Sequence, residues 1–254
     1  MEQYLLAVAV GNTRTRFGLF EGKDLSVVRS EPSDRPEEIG VAVREMLGPR
    51  AGVPLAISTV NLPASEKIRR VLEGLGEVYT IGTDIAIPLT HTLDDATTLG
   101  QDRALCAIAA FARCQQACVV VDAGTAITVD FVDGQGVFQG GVIGPGLNMV
   151  LKALHEHTTA LPLLEFAPPD AARGVYGKDT KHAMILGAQA AARGLVREAI
   201  ERFAIDYEAY PQIIATGGDA GALFDNDDLV EHIVPDLQLV GILEAVNAAA
   251  DGEA

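Results

Sequence analysis

VVVDAGTAITVDFVDGQG (residues 119–136) repeats the design of a stretch near the start of the chain, VAVGNTRTRFGLF (residues 8–20). Each opens with an apolar run, breaks at a turn of small residues holding glycine and threonine, and resumes as a second apolar run. The second runs alternate in character: Thr15, Phe17 and Leu19 are interleaved with Arg14, Arg16 and Gly18 in the earlier copy. That period predicts two strands joined by a short turn, a β-hairpin. Val8-Ala9-Val10-Gly11 overlies Val121-Asp122-Ala123-Gly124, and the copies close on Glu21-Gly22 and Asp133-Gly134. Two hairpins of one design predict a duplicated fold, each lobe opening with its own phosphate-facing hairpin. A chance likeness between two hairpins is the alternative. A turn of Gly, Asn and Thr offers backbone N–H groups and a hydroxyl, which suit an anion. The first copy nevertheless has Ala9 where the second has Asp122.

Working outward, the remaining chain reads as alternating helices and strands. Residues 34–47 have an acidic start and helical spacing of Ile39, Val43 and Leu47. Residues 55–61 read as a strand, and 64–76 as a helix closed by glycine. Residues 102–114 form an alanine-rich helix with a wide apolar face. GGVIGPG (140–146) reads as a glycine-rich turn before a helix near 147–155, residues 181–204 as a long helix, and 212–220 as a buried strand running into a glycine turn. The class is α/β with a hairpin added at the start of each lobe, divided as 1–116 and 117–254.

The chain has 254 residues, 48% of them hydrophobic, enough for one large domain or two lobes. Its net charge of −16 argues against nucleic acid and anionic membranes as partners, while a local basic pocket could still collect a small anion. Cys106, Cys114 and Cys118 are odd in number and lack CxxC spacing, which argues against a disulfide framework and a zinc site. No basic leader and no apolar run of about 20 residues is visible, so a cytoplasmic location is expected.

Four glycine turns, at Gly11, Gly124, Gly140-Gly141 and Gly217-Gly218, are expected to line one cleft with backbone donors. In LGQDRA (99–104), Asp102 and Arg103 open a helix, where the dipole favours negative charge. A carboxylate there can take a proton from an attacking hydroxyl, and a guanidinium can clamp a substrate carboxylate. The same pair also suits an acidic helix cap with a solvated arginine. Asp122, at the end of a three-valine run, suits either a cation or an Asx turn onto its own backbone. His155 and His157 have no triad or metal spacing.

Taken in order, VGNTRTRFGLF, ISTVN, TLGQDR, VVDAGTAITVDFVDGQG, GGVIGPG, GKDT and IIATGG resemble the type III pantothenate kinases, over roughly residues 4–248. The resemblance implies the acetate and sugar kinase/Hsc70/actin superfamily: duplicated actin-like (ribonuclease H-like) lobes, each a mixed sheet flanked by helices. It implies transfer of the ATP γ-phosphate to the primary hydroxyl of pantothenate, the first step of coenzyme A biosynthesis, with Mg²⁺ and a monovalent cation (K⁺ or NH₄⁺), in a homodimer.

Carried over by position, the resemblance implies ATP contacts at Ala9, Val10, Gly11, Asn12, Thr13, Arg14, Thr15, Arg16 and Thr125. It implies pantothenate contacts at Gly100, Gln101, Asp102 and Arg103, with Asp102 the proton acceptor, and at Thr180 across the dimer. Asp122 matches the monovalent-cation ligand. Two positions depart from the family pattern: Ala9 replaces the aspartate of DxGNT, and Leu93 replaces a tyrosine. Losing the first acid weakens the hold on nucleotide-bound Mg²⁺. The expected function is therefore a pantothenate kinase impaired at Ala9. The alternatives are a non-catalytic homologue that binds nucleotide or pantothenate and acts in regulation or partner binding, or the same fold with another small hydroxylated acceptor or a phosphohydrolase activity.

Overall fold

The computed structural model describes residues 4–225 and 227–252. It opens with β1 (Tyr4–Val10), β2 (Arg14–Glu21), β3 (Asp24–Pro32), α1 (Pro36–Leu47), β4 (Leu55–Thr59), α2 (Leu62–Leu72), β5 (Val78–Thr80) and α3 (Gln101–Cys114). There follow β6 (Cys118–Ala123), β7 (Ala126–Val132), β8 (Phe138–Pro145), α4 (Leu147–Glu156), α5 (Thr180–Asp206), β9 (Gln212–Thr216), α6 (Ala220–Phe224), β10 (His232–Ile233) and α7 (Leu237–Gly252).

The strands form two five-stranded sheets of one design. Their orders are β3-β2-β1-β4-β5 and β8-β7-β6-β9-β10. In each, the first three strands run antiparallel as a meander, and the fourth and fifth add in parallel to the opening strand. The expected α/β class, with duplicated actin-like lobes each holding a mixed sheet flanked by helices, is the one the chain adopts.

Two compact units result. One holds the chain up to Thr90, Asp94–Ala112 and the segment from Asp236 onward; the other holds His91–Leu93 and Arg113–Pro235. The division thus falls near residue 112 rather than 116, and the C-terminal segment packs with the first unit rather than the second. Packing explains the return. In α7, Leu239, Ile242, Leu243 and Ala245 bury against Leu5, Ala7 and Ala9 of β1. The other side chains of β1, Leu6, Val8 and Val10, bury against Ile39 and Val43 of α1 and Ile68 and Leu72 of α2. Being covered on both faces is why β1 reads as a continuous apolar run. In the second unit, Val119, Val121 and Ala123 of β6 bury against Leu151, Ala188 and Val196 of α4 and α5.

Two local expectations fail for identifiable reasons. The helix expected to close on glycine ends at Leu72 instead, because Glu73 turns extended (ψ 130°) after its N–H bonds Arg69 O. Gly76 serves a close approach: a Cβ there would lie 2.1 Å from Val53 O. Gly140-Gly141, expected as a turn, lies inside β8. Gly140 takes φ +108° beside a register shift at Phe131/Val132, and a Cβ on Gly141 would lie 2.2 Å from Val129 O. These glycines build a bulge in a strand.

Candidate active site

In the first unit the β1–β2 loop is closed by Gly11 N–H, which donates to Arg14 O at 3.1 Å. The loop carbonyls are taken up by the same unit: Ser33 Oγ donates to Gly11 O (2.9 Å), Ser33 N to Thr13 O (3.0 Å) and Asn61 Nδ2 to Asn12 O (3.5 Å). Thr15 is fully buried and its hydroxyl pairs with Ser33 Oγ at 3.0 Å. Asn12, Thr13 and Arg14 are exposed at the tip. Arg14 is bound back to Ser30, through Nε to Oγ at 2.8 Å and Nη2 to the carbonyl at 2.5 Å.

Ala9 stands two residues before this loop and is buried, with Arg16 opposite it on β2 and Ser58 opposite it on β4. Paired residues in a sheet share a face. Arg16, Ala9 and Ser58 therefore form one row across three strands. The row meets α7: Arg16 pairs with Asp236, and Gln238 Nε2 donates to Ser58 Oγ at 3.3 Å.

A second cluster of the first unit surrounds the start of α3. Gln101 anchors it: Oε1 accepts from Thr59 N (2.9 Å) and Nε2 donates to Ile81 O (2.8 Å). The helix start is thereby tied to the end of β4. Asp102 is half-buried and its Oδ1 accepts from Arg103 N at 2.9 Å. A Cβ on Gly100 would lie 2.4 Å from that same oxygen. Glycine at 100 leaves the Asp102 carboxylate free to take this rotamer. The turn before it is set by Asp95, which accepts from Thr97 N (2.9 Å) and Thr97 Oγ1 (2.6 Å). These bonds hold the Asp95 carboxyl below its ordinary pKa.

In the second unit the β6–β7 loop closes through Gly124 N–H to Ala126 O at 3.0 Å. Asp122 pairs with Thr128 on β7 and Thr216 on β9, the row that corresponds to Arg16, Ala9 and Ser58. Gly217 has φ +93°, and a Cβ there would lie 2.4 Å from Asp122 Oδ1 and 2.3 Å from Ala123 O. Gly146 is equally confined: a Cβ there would lie 2.2 Å from Gly124 O. Asp122, Gly124, Thr125, Gly146 and Gly217 thus meet at one end of the sheet. A carboxylate and a carbonyl flanking Gly217 offer the all-oxygen donors that K⁺ or Mg²⁺ takes. Asp219, whose N–H donates to Ala123 O at 2.9 Å, has its carboxyl pKa raised by burial.

Thr180 is exposed on the first turn of α5, behind Asp179. Asp179 accepts from His182 N (2.8 Å) and Arg173 Nη2 (2.7 Å), and the first of these chiefly depresses its pKa. Leu93 lies in the second unit, against Gly140. Among the described residues no three His, Cys, Asp or Glu side chains gather as a metal cage.

A family model described as type III pantothenate kinase matches residues 5–202. The chain belongs to the type III pantothenate kinases. Relatives of that name from Syntrophotalea carbinolica and Frankia alni are each 32% identical, covering 94% of this chain and 96% of their own length. Among solved structures, a Baf family protein from Campylobacter jejuni superposes with a TM-score of 0.60 at 19% identity, over 97% of this chain and 99% of that one. A ROK family glucokinase from Streptomyces griseus superposes with a TM-score of 0.52 at 10% identity, over 95% and 98%. These two likenesses concern the fold alone.

For a type III pantothenate kinase, the Asp236–Arg16 pair is the feature that sequence reading missed. Only the helix start was signalled: Pro235-Asp236 precedes Leu237, Leu239, Ile242 and Leu243, an acidic start followed by apolar spacing, and nothing in that pattern points to Arg16.

Proposed function

We propose that the chain transfers the γ-phosphoryl group of ATP to the primary hydroxyl of pantothenate, giving 4'-phosphopantothenate for coenzyme A biosynthesis. The observation that carries this reading is the setting of Asp102. A half-buried carboxylate stands at the start of α3, its Oδ1 held by Arg103 N, on a helix start that the two-way amide of Gln101 ties to β4 and Ile81. In this reading Asp102 accepts the proton of the attacking hydroxyl, Arg103 holds the substrate carboxylate, and Thr180 contacts the acceptor from the partner copy of a homodimer. Phosphoryl transfer needs little covalent help from protein, and positioning with charge neutralisation accounts for most of its acceleration.

The exposed tip of the first loop, Asn12 to Arg14, and Thr125 offer backbone and hydroxyl donors to the phosphates, with buried Ala9, Val10 and Thr15 shaping the loop from beneath, and Asp122 takes a monovalent cation, K⁺ or NH₄⁺. Mg²⁺, when bound with ATP, neutralises the charge that builds between the β- and γ-phosphates. It needs only one or two protein carboxylates beyond phosphate and water, which suits a chain with no three-residue metal cage among its described residues. Ala9 brings no carboxylate to β1, so turnover is lower than a strand acid would give. A cytoplasmic location fits such a reaction.

The test is phosphorylation of pantothenate by the purified protein with ATP, Mg²⁺ and K⁺. Turnover of pantothenate, with other small hydroxy acids idle, supports the reading; a folded protein idle on pantothenate sinks it. One observation favours a second reading, a non-catalytic homologue: Ala9 is buried in an apolar cluster. Turnover that appears only after Ala9→Asp supports that reading.

A further inference from the structure

The two sheets share strand order and register, so each side chain on β1 has a defined counterpart on β6. The central member of the row at the strand end is Asp122 in one unit and Ala9 in the other. The flanking members also differ. Asp122 lies between two threonines, Thr128 and Thr216, whereas Ala9 lies between Arg16 and Ser58. The row with the carboxylate has no cation; the row without one has an arginine.

That arginine is already matched. Its Nε donates to Asp236 Oδ1 at 3.1 Å, and Nη2 donates to the same oxygen. Both bonds fall on Oδ1, and among the described residues no bond falls on Oδ2. Asp236 immediately precedes α7, and its own carbonyl accepts from Val240 N at 3.1 Å, which fixes the residue to the first turn. Two positions on, Gln238 bonds Ser58 at the far end of the row, so the start of α7 spans the row with Ala9 beneath. The small Ala9 side chain belongs to the same apolar cluster as Leu239 and Ile242 of that helix.

We propose that Asp236 is the carboxylate that serves the nucleotide-bound divalent cation in the first unit, delivered by helix α7 in place of the acid missing from β1. This rests on the nucleotide-binding reading above but not on the identity of the acceptor. Arg16 acts as a positioning residue: it holds one carboxylate oxygen and leaves the other to accept from a metal-bound water or to reach the ion. A single acid suffices, because Mg²⁺ keeps most of its water and phosphate ligands. A role confined to capping α7 is the competing account, since a carboxylate at a helix start is favourable in itself.

The experiment is equilibrium binding of N-methylanthraniloyl-ATP, followed by fluorescence across a Mg²⁺ titration and in EDTA. It compares the native chain, Asp236→Asn, and the double variant Ala9→Asp/Asp236→Asn, with the melting temperature of each recorded. The expected result is that Mg²⁺ tightens binding to the native chain and that Asp236→Asn loses roughly tenfold to a hundredfold of that tightening, as loss of a metal-site partner does. Affinity in EDTA should hold, and Ala9→Asp should restore the Mg²⁺ response. Two outcomes overturn the proposal while leaving the function intact. In one, Asp236→Asn responds to Mg²⁺ as the native chain does. In the other, it loses affinity with and without Mg²⁺, melts lower and is not rescued by Ala9→Asp, which is the signature of a structural cap. A native chain that binds no nucleotide at all sinks this proposal and the kinase reading together.

Discussion

Gly11 and Gly124 close their loops alike, donating across the turn to Arg14 O at 3.1 Å and to Ala126 O at 3.0 Å. The first loop joins Val10 to Thr15 and the second joins Ala123 to Ile127, one residue shorter. Past the next strand the chain bonds back to the opening strand in both units: Val60 N–H, one residue after β4, donates to Val10 O at 3.1 Å, and Asp219 N–H, three residues after β9, to Ala123 O at 2.9 Å. Backbone geometry is therefore repeated almost bond for bond, while the side chains set into it are not. The second unit carries its acid on the strand. The first has an arginine in the row and draws its acid from α7. Topology decides where a side chain emerges; what emerges there decides the chemistry.

If the first unit carries the proton chemistry and the second the monovalent cation, the two should fail differently. Asp102→Asn should cut kcat by about 10²–10⁴-fold, the usual worth of a general base, with ATP affinity nearly unchanged. A steady-state assay reading a rate close to native would remove Asp102 from that role. Asp122→Asn should instead abolish activation by K⁺ and raise KM for ATP on the order of tenfold, a typical penalty for losing a metal-site group. Rates measured from zero to saturating K⁺ decide it. A K⁺ response of native size in that variant would erase the contrast between the two loops.

Much of this arrangement was legible because it is local. The hairpin at 8–20 and its echo at 119–136 follow from alternation and turn residues, and the matching sheets follow from the echo. Asp102 was legible as a helix opener; that its Oδ1 folds back to within 2.4 Å of a would-be Cβ at position 100 was not, because that approach depends on the folded turn. Gly140-Gly141 misled because glycine marks both turns and bulges, and only the strand register separates them. The docking of α7 on β1 and the Arg16–Asp236 pair join residues 220 apart in sequence. No spacing rule covers such a separation; it is set by which apolar faces remain uncovered once the first sheet has formed.

The glycines packed at the two loops should also differ in tolerance to a methyl group: Gly11 lies within the first loop, and Gly146, just before α4, packs on the carbonyls of the second. Alanine at 146 would drive its Cβ against two backbone oxygens, Gly124 O at 2.2 Å and Thr125 O at 2.5 Å. At 11 it would meet only Arg14 O, at 2.7 Å. Backbone cannot step aside as a side chain does, so Gly146→Ala should cost about 3 kcal/mol and Gly11→Ala about 1, within the usual range for overpacking. At roughly 2–4 °C per kcal/mol for a chain of this size, the melting temperatures should separate clearly. Equal losses would mean that the start of α4 is packed on the second loop no more tightly than Gly11 is packed within the first.

The smallest effect concerns the residues that return to the opening strands, Val60 in one unit and Asp219 in the other. Burial raises the Asp219 carboxyl above its ordinary pKa. In the folded chain it therefore binds its proton more tightly than in the unfolded one. Stability must then fall as pH rises from the ordinary carboxylate range through the raised value, and above that the ionised group is a standing cost. Val60 carries no such cost. Asp219→Asn should thus raise the melting temperature slightly at about pH 7, and the gain should vanish below about pH 3, where the native aspartate is protonated in both states. A gain of equal size at both pH values would trace to hydrogen bonding by the amide. In that case the electrostatic difference between the two returning segments would have no measurable weight.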